Sequence, residues 1–336
     1  MINAAIVGLG RWGQNLVDSI QGKSDKIRVV AGATRTVSKA ADYAKRQGFP
    51  LYDSYRKVLA DPKVDAIIVA TPHSQRVEII GAAAAAGKHV FTEKPLALNK
   101  RDGDAIIKTC ADRKVTLAVG FNWRFQPALQ EIKRMLADGR LGKLLHIEGN
   151  FCGPSVYRFG PDHWRLNPEE GPAGGMTGRG VHVVDAMLYL AGKIDTVHAQ
   201  SLRRVLDYGI DDTTSMLLRF KSGATGYLGT FIATAETWRM QVFGEKGWVE
   251  VGDVEHLTTW QMRVCYVDRA NLTAHRKPQT VSFPELSTER AELENFAAAI
   301  KAKKRLAVAG GDEAHGVAVL EAVLESAKCN ATVALA

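Results

Sequence analysis

A short apolar run, Ala4-Ala5-Ile6-Val7, leads into Gly8-Leu9-Gly10-Arg11-Trp12-Gly13, and apolar residues then recur with helical spacing at Trp12, Leu16 and Ile20. This pattern reads as a buried parallel strand, a tight turn and a helix. The three glycines serve different needs. Gly8 supplies the turn's backbone angles, Gly10 lets a pyrophosphate approach the main chain, and Gly13 lets helix pack on strand. The unpaired N–H groups of the helix's first turn would face phosphate. The six residues Gly8, Leu9, Gly10, Arg11, Trp12 and Gly13 are therefore read as a dinucleotide-binding loop. A purely structural glycine turn is the alternative, weakened by the flanking strand and helix.

At 336 residues the chain is long enough for two domains with separate cores. Hydrophobic residues make up 46% and charged residues 24%, an ordinary globular balance. No apolar run approaches a membrane span, and the first strand begins too early to leave room for a signal peptide, so a cytoplasmic protein with no membrane partner is expected. The net charge of +8 is spread along the chain without a dense basic tract, which argues against nucleic acid and for a mildly positive field favouring anionic ligands. Cys110, Cys152, Cys265 and Cys329 lie far apart with no CxxC pair, so neither a disulfide framework nor a metal site is expected.

Ile27–Ala33 reads as the second strand, ending at Thr34-Arg35-Thr36. An NAD-binding fold usually carries an acid there for the ribose 2′-hydroxyl. Two hydroxyls around a guanidinium, with Ser38 and Lys39 close behind, suit a 2′-phosphate instead, so Thr34 and Arg35 point to NADP, with NAD as the alternative. A solvated loop arginine is the plainer reading. Ser54 caps a short helix through Leu59, and the buried strand Asp65–Ala70 delivers Thr71 and Pro72 to the sheet's carboxyl edge, where open α/β folds bind ligands. An alanine-rich helix, Val77–Ala86, is followed by the strand His89-Val90-Phe91-Thr92-Glu93-Lys94-Pro95. Asn99 with Asp102 caps the helix through Cys110, and Thr116–Gly120 closes a doubly wound βαβαβ series.

Beyond Gly120 the pattern changes. Pro127–Ala137 is an amphipathic helix, and β-type alternation follows at Leu145–Asn150, Thr196–Val205, Thr213–Phe220, Gly226–Ala233, Arg239–Phe243, Trp248–Val251 and Thr259–Tyr266. A long loop, Cys152–Gly178, precedes the helix Gly180–Leu190 and is expected to border a substrate. Ala270–Gln279 reads as polar and mobile, and the helices Ser287–Lys303 and Asp312–Lys328 close the chain. The expected division is a nucleotide-binding domain over 1–121 and an α+β domain over 122–336.

The N-terminal glycines, Ala70-Thr71-Pro72, Glu93-Lys94-Pro95, Gly120-Phe121-Asn122-Trp123-Arg124-Phe125, Gly180-Val181-His182-Val183-Val184-Asp185 and the late Gly311-Asp312-Glu313-Ala314 occur in one order. In that order they resemble the glucose–fructose oxidoreductase, inositol dehydrogenase and MocA family over essentially the whole chain. The resemblance implies a Rossmann domain followed by an open-faced, mainly antiparallel sheet, NAD(P)-dependent hydride transfer, a sugar or polyol substrate, and a homo-oligomer, dimer or tetramer, built through the sheet face. It implies that Glu93 and Lys94 lie at the cofactor, that Lys94 and His182 are catalytic, and that Arg124, Trp164, Arg165, Arg179, His182 and Asp185 line the substrate.

A cation such as Lys94 beside a carbinol oxygen would steady the alkoxide-like charge that develops as hydride leaves or arrives. His182 would exchange the hydroxyl proton, and Asp185, one helical turn on, would orient the imidazole, cap the helix or stand in solvent. Two departures from the family pattern stand out. Relatives commonly carry an acid four residues before the histidine, where this chain has Gly178, and often a histidine at the position of Arg76. Arg179, His163, Asp162 and Tyr157 are candidate substitutes for the missing acid, and Arg76 and Arg179 are candidates for an acidic substrate. Two rivals to a dehydrogenase stay open: a non-catalytic nucleotide-binding regulator or sensor, and a glycosidase or lyase with retained NAD and transient redox.

Overall fold

Apart from Asn3, β1 (Ile2–Val7) is buried, because neighbours flank it on both sides of a parallel sheet. In the computed structural model, which describes residues 1–273, 276–304 and 312–335, this strand is followed by α1 (Arg11–Ile20), β2 (Ile27–Ala33), α2 (Ala41–Gln47), β3 (Leu51–Tyr52), α3 (Tyr55–Leu59), β4 (Ala66–Val69), α4 (Arg76–Ala85), β5 (His89–Glu93), α5 (Lys100–Asp112) and β6 (Leu117–Gly120). The strands form one six-stranded parallel sheet in the order β3-β2-β1-β4-β5-β6. The order reverses at β1, so the carboxyl ends of β1 and β4 flank the topological switch point, where such sheets bind ligands. The expected caps are present: Ser54 accepts from the Arg56 N–H, and Asn99 from the Asp102 N–H at 2.8 Å.

The remaining elements are α6 (Pro127–Ala137), β7 (Leu144–Cys152), α7 (Val181–Ala191), β8 (Ile194–Leu202), β9 (Thr213–Phe220), β10 (Thr225–Phe231), β11 (Thr237–Gly244), β12 (Gly247–Asp253), β13 (Gln261–Tyr266), β14 (Gln279–Ser282), α8 (Thr288–Lys301), α9 (Asp312–Cys329) and β15 (Val333–Ala334). Nine strands make a second sheet, β14-β13-β12-β11-β7-β10-β9-β8-β15, antiparallel except where β10 runs parallel to β7. One face is packed by α7, whose Val183 lies so close to Gly149 that a Cβ there would stand 2.6 Å from Val183 Cγ1 and collide with it. The other face is more open. Leu217 is 60% exposed, and Arg239 bridges Glu148 and Glu250, the latter also paired with Arg263.

Three expectations are corrected. The chain divides into units of Met1–Asn122 with Ser287–Ala314, and Trp123–Leu286 with His315–Ala336, so the boundary 1–121/122–336 misses an excursion. The reason is apolar: Leu293, Phe296 and Ala297 of α8 are fully buried in the core of the first sheet, with Phe296 5.9 Å from Phe91. Second, the loop Cys152–Gly178 is not structureless. It folds through 3-10 turns at Ser155–Arg158 and Trp164–Leu166 into a π-helical turn at Met176–Gly180, and Val156 and Leu166 bury themselves with Ile210 and Ile232 in a small core. Third, β8 stops at Leu202, short of Val205, because the Asp212 carboxylate accepts from the backbone N–H groups of Arg204, Val205 and Leu206 and draws the chain out of the ladder. Short β3, β14 and β15 carry no recognisable alternation. Ala274 and His275 of the polar segment and Gly311 of the Gly-Asp-Glu-Ala motif lie outside the described residues.

Candidate active site

The glycine loop has the stereochemistry expected of it. Gly8 has φ +98°, and a Cβ there would stand 2.7 Å from the Ala70 carbonyl oxygen; one on Gly13 would stand 2.0 Å from the Gly8 oxygen. A Cβ on Gly10 would meet nothing within 4 Å, so the space beside this residue is left open by the protein. α1 begins there with no side-chain cap and no acid in its first turn, which leaves its N–H groups to a negatively charged ligand. The loop therefore fits a dinucleotide pyrophosphate. Leu9 is buried beneath it and Arg11 is exposed at the helix start.

Thr34 follows directly on β2, and Arg35 is exposed; among the described residues no hydrogen bond or ion pair engages the Arg35 guanidinium. On the other side of the switch point, Thr71 and Pro72 lie just past β4. Glu93 ends β5, with Lys94 half-buried beyond it and a cis Lys94–Pro95 peptide. The Trp12 indole donates to Glu93 Oε1 at 2.6 Å, joining the glycine loop to the end of β5. Burial holds the Glu93 carboxyl above the usual carboxylate range, against the opposing pull of Lys94, the Trp12 donor and Arg76.

Arg76 itself is 4% exposed and offers nothing to an acidic ligand. Its Nε and Nη2 donate to the Thr71 carbonyl at 3.3 and 3.1 Å, and its Nη1 to the carbonyls of Glu93 and, at 2.6 Å, Pro95. The reading of Arg76 as a substrate arginine gives way to one in which it ties backbone to backbone.

In the second unit His182 opens α7 directly after the π-helical turn, the kind of irregular turn that often marks functional positions. It is 5% exposed and stacks on Trp123, with ring centroids 5.4 Å apart and planes 25° from parallel; Phe151 lies edge-on at 6.0 Å. Trp238 packs on Trp123 at 4.7 Å, and His256 lies 4.7 Å from Phe151 and 6.1 Å from His182. The Trp123 indole donates to His256 Nδ1 at 2.9 Å, which fixes that imidazole with its proton on Nε2. Phe151, Trp238 and His256 have no motif to single them out; they arrive from three separate strands and loops.

Arg124 and Asp185 come together, but with each other. Both are nearly fully buried, and the guanidinium donates to the two carboxylate oxygens at 2.8 and 2.7 Å, a fork-on-fork pair, with Tyr189 beside it. Asp185 is thus neither a helix cap nor a solvated acid, and Arg124 spends two donors on it. Arg179 is also engaged: it pairs with Glu236 at 2.8 Å, donates to the Cys152 carbonyl and lies over the Phe151 ring at 4.5 Å. Trp164 and Arg165 form a stack of their own with His163 and Phe159, the guanidinium 4.4 Å above the Trp164 ring. Burial and Arg165 together lower the His163 pKa. Tyr157 is 63% exposed and donates to the Ala233 carbonyl at 3.4 Å, and Asp162 is exposed. A Cβ on Gly178 would meet nothing within 4 Å, so that position has room for a side chain it does not have. Among the described residues, no group of three or more His, Cys, Asp or Glu is placed to hold a metal ion, and no helix is long and apolar enough to cross a membrane.

Residues 2–121 match an oxidoreductase family with an NAD-binding Rossmann fold, GFO/IDH/MocA, and residues 129–250 match the GFO/IDH/MocA C-terminal domain. The scyllo-inositol 2-dehydrogenase (NAD(+)) of Bacillus subtilis (strain 168) is 30% identical over 270 residues, 76% of this chain and 75% of its own. The D-xylose 1-dehydrogenase (NADP(+)) 2 of Haloferax volcanii is 27% identical over 96% of both chains. An aldose-aldose oxidoreductase from Caulobacter crescentus, crystallised with glycerol, has the same fold with a TM-score of 0.88 and 26% identity over 99% of each chain. The chain belongs to the GFO/IDH/MocA family of oxidoreductases.

Proposed function

We propose that this protein is an NADP-preferring dehydrogenase or reductase acting on a sugar, polyol or related hydroxy or keto compound. The observation that carries the cofactor preference is Arg35: a guanidinium at the end of β2, with no acid nearby in the sequence and no described partner, suits a 2′-phosphate. Gly8, Gly10 and Gly13 would hold the pyrophosphate, with Leu9, Arg11, Trp12, Thr34, Thr71, Pro72 and Glu93 around the nucleotide. The bound nicotinamide supplies hydride exchange. The protein's own work is charge and proton management: Lys94 would steady the negative oxygen of the substrate, and His182 would hold or release its proton. The named relatives divide between NAD(+) and NADP(+), so the family does not decide the preference by itself.

Absorbance of the reduced nicotinamide, followed with D-xylose, scyllo-inositol, myo-inositol and levoglucosan against both nucleotides, tests the reading. Turnover with at least one sugar or polyol, faster at limiting NADP(+), is expected. No turnover in either direction would leave the regulator reading, which the absence of an acid at Gly178 favours. Steady substrate loss without accumulation of reduced nucleotide would identify transient redox. Arg35→Asp should invert the nucleotide order in a binding titration, and equal affinities in the wild type would defeat the assignment. Self-association through the open face of the second sheet is part of the same reading; Leu217→Glu should shift the protein to smaller size on a sizing column.

A further inference from the structure

The hydrogen bonds between β4 and β5 follow a register that ends with the pair Val69 and Thr92. Beyond that pair the segment after Val69 leaves the sheet, while Glu93 still pairs with Gly120 of β6, and the Arg76 side chain joins the two segments. It bonds the Thr71 carbonyl on one and the Glu93 and Pro95 carbonyls on the other, the latter two flanking Lys94 on either side. Arg76 is also nearly sealed from water, where a cation is costly unless its donors are all well placed. The Thr71, Glu93 and Pro95 carbonyl dipoles meet that cost, and the Glu93 side chain is itself held by the Trp12 indole.

We propose that Arg76 is the positioning residue for Lys94: it clamps the main chain on both sides of that lysine and so sets where the ammonium stands, without itself touching substrate. The proposal rests on the reading of Lys94 as the group at the reacting oxygen. A planar guanidinium can serve acceptors in three directions from one fixed fork. An ammonium on a flexible stem cannot span Thr71 and Pro95 together in the same way. Lysine is therefore a poor substitute here, even though it keeps the charge. The effect on rate follows from geometry, since a misplacement of about 1 Å in a reacting group costs on the order of 10²-fold.

Full-length Arg76→Lys and Arg76→Met proteins test this with three readouts: amide hydrogen exchange by mass spectrometry, NADPH binding by fluorescence titration, and steady-state kinetics with whichever sugar of the panel the wild type turns over. Exchange should quicken about tenfold or more in the peptides covering 71–76 and 93–99 and stay unchanged elsewhere. Turnover number should fall about 10- to 100-fold, with sugar KM and NADPH affinity moving less than about threefold, and lysine should rescue no better than methionine. Unchanged exchange in those two peptides overturns the clamp, as does exchange that rises uniformly along the chain. Local loosening with an undiminished turnover number overturns the link to Lys94. Should the wild type turn over no sugar with either nucleotide, the dehydrogenase reading fails on its own, while the exchange result still decides whether Arg76 holds the Lys94 segment.

Discussion

The surroundings of Lys94 and those of His182 are built from different materials. Around Lys94 the structural work is done by main chain: positive φ at Gly8, a Gly13 that touches the Gly8 carbonyl, strand ends, and carbonyls gathered by Arg76. Around His182 it is done by side chains: Trp123, Phe151 and His256 close on the imidazole, Trp238 backs Trp123, and Asp185 of the same α7 forms a buried pair with Arg124. Backbone-made sites depend on residues that permit a conformation, whereas cage-made sites depend on residues that fill a volume. The two kinds of site should therefore fail differently when altered.

The largest expected effect is on stability in the second unit. Asp185→Ala leaves the Arg124 guanidinium buried without its carboxylate, and about 3–5 kcal/mol should be lost in urea unfolding. The double change Arg124→Met with Asp185→Leu should recover most of it; a single variant losing under about 1 kcal/mol would remove the pair from the account of this unit. In the first unit the counterpart is chemical. Lys94→Ala should slow turnover by about 10²- to 10³-fold, some 2.7–4 kcal/mol of barrier, with an unaltered unfolding curve and NADPH affinity. Retained turnover would take Lys94 out of the mechanism and erase the contrast.

A smaller effect tests whether the second unit also has a main-chain-built corner. Asp212 is buried and accepts from three backbone N–H groups and the Thr213 hydroxyl; burial alone would raise its pKa, but these donors outweigh it and the net shift is downward. A carboxyl with a depressed folded pKa stabilises above its unfolded value and loses that contribution as pH falls towards the folded one. Asp212→Asn should accordingly cost about 1–3 kcal/mol at neutral pH, with the gap to wild type closing only below about pH 4. A gap that stayed constant through acid would assign the loss to shape instead of charge. The smallest effect belongs to Gly178→Asp. With open space at that position, stability should change by less than about 0.5 kcal/mol, while a carboxylate one turn before His182 should raise the imidazole pKa and move the acidic limb of the rate profile upward. An unmoved profile would mean that His182 does not set that limb.

The same contrast explains how much is legible in the sequence. Conformational demands leave local marks: the spacing of Gly8, Gly10 and Gly13, the Ser54 and Asn99 caps, and Pro95 after Lys94 all lie within a few residues of what they govern. Volume-filling leaves none. Trp123 and His256 meet across 133 positions, and no periodicity in either neighbourhood announces the hydrogen bond between them. Arg76 shows the intermediate case. Its presence in place of a more usual residue is visible in the sequence, but its three carbonyl partners belong to two strand ends, and only their convergence reveals a clamp instead of a ligand contact. The Cys152–Gly178 segment reads as a bare loop for a similar reason, since Val156 and Leu166 find Ile210 and Ile232 only after the chain has turned back.

The placement of α8 bears on how the protein is made. Leu293, Phe296 and Ala297 complete a core begun by Ile6 and Ile68, so the nucleotide-binding half lacks part of its interior until α8, made after the whole of the second sheet except β15, has left the ribosome. An excised fragment ending near residue 121 should leave that interior wet and aggregate. Rejoining 288–301 to it through a short linker is the simplest way to obtain the unit alone.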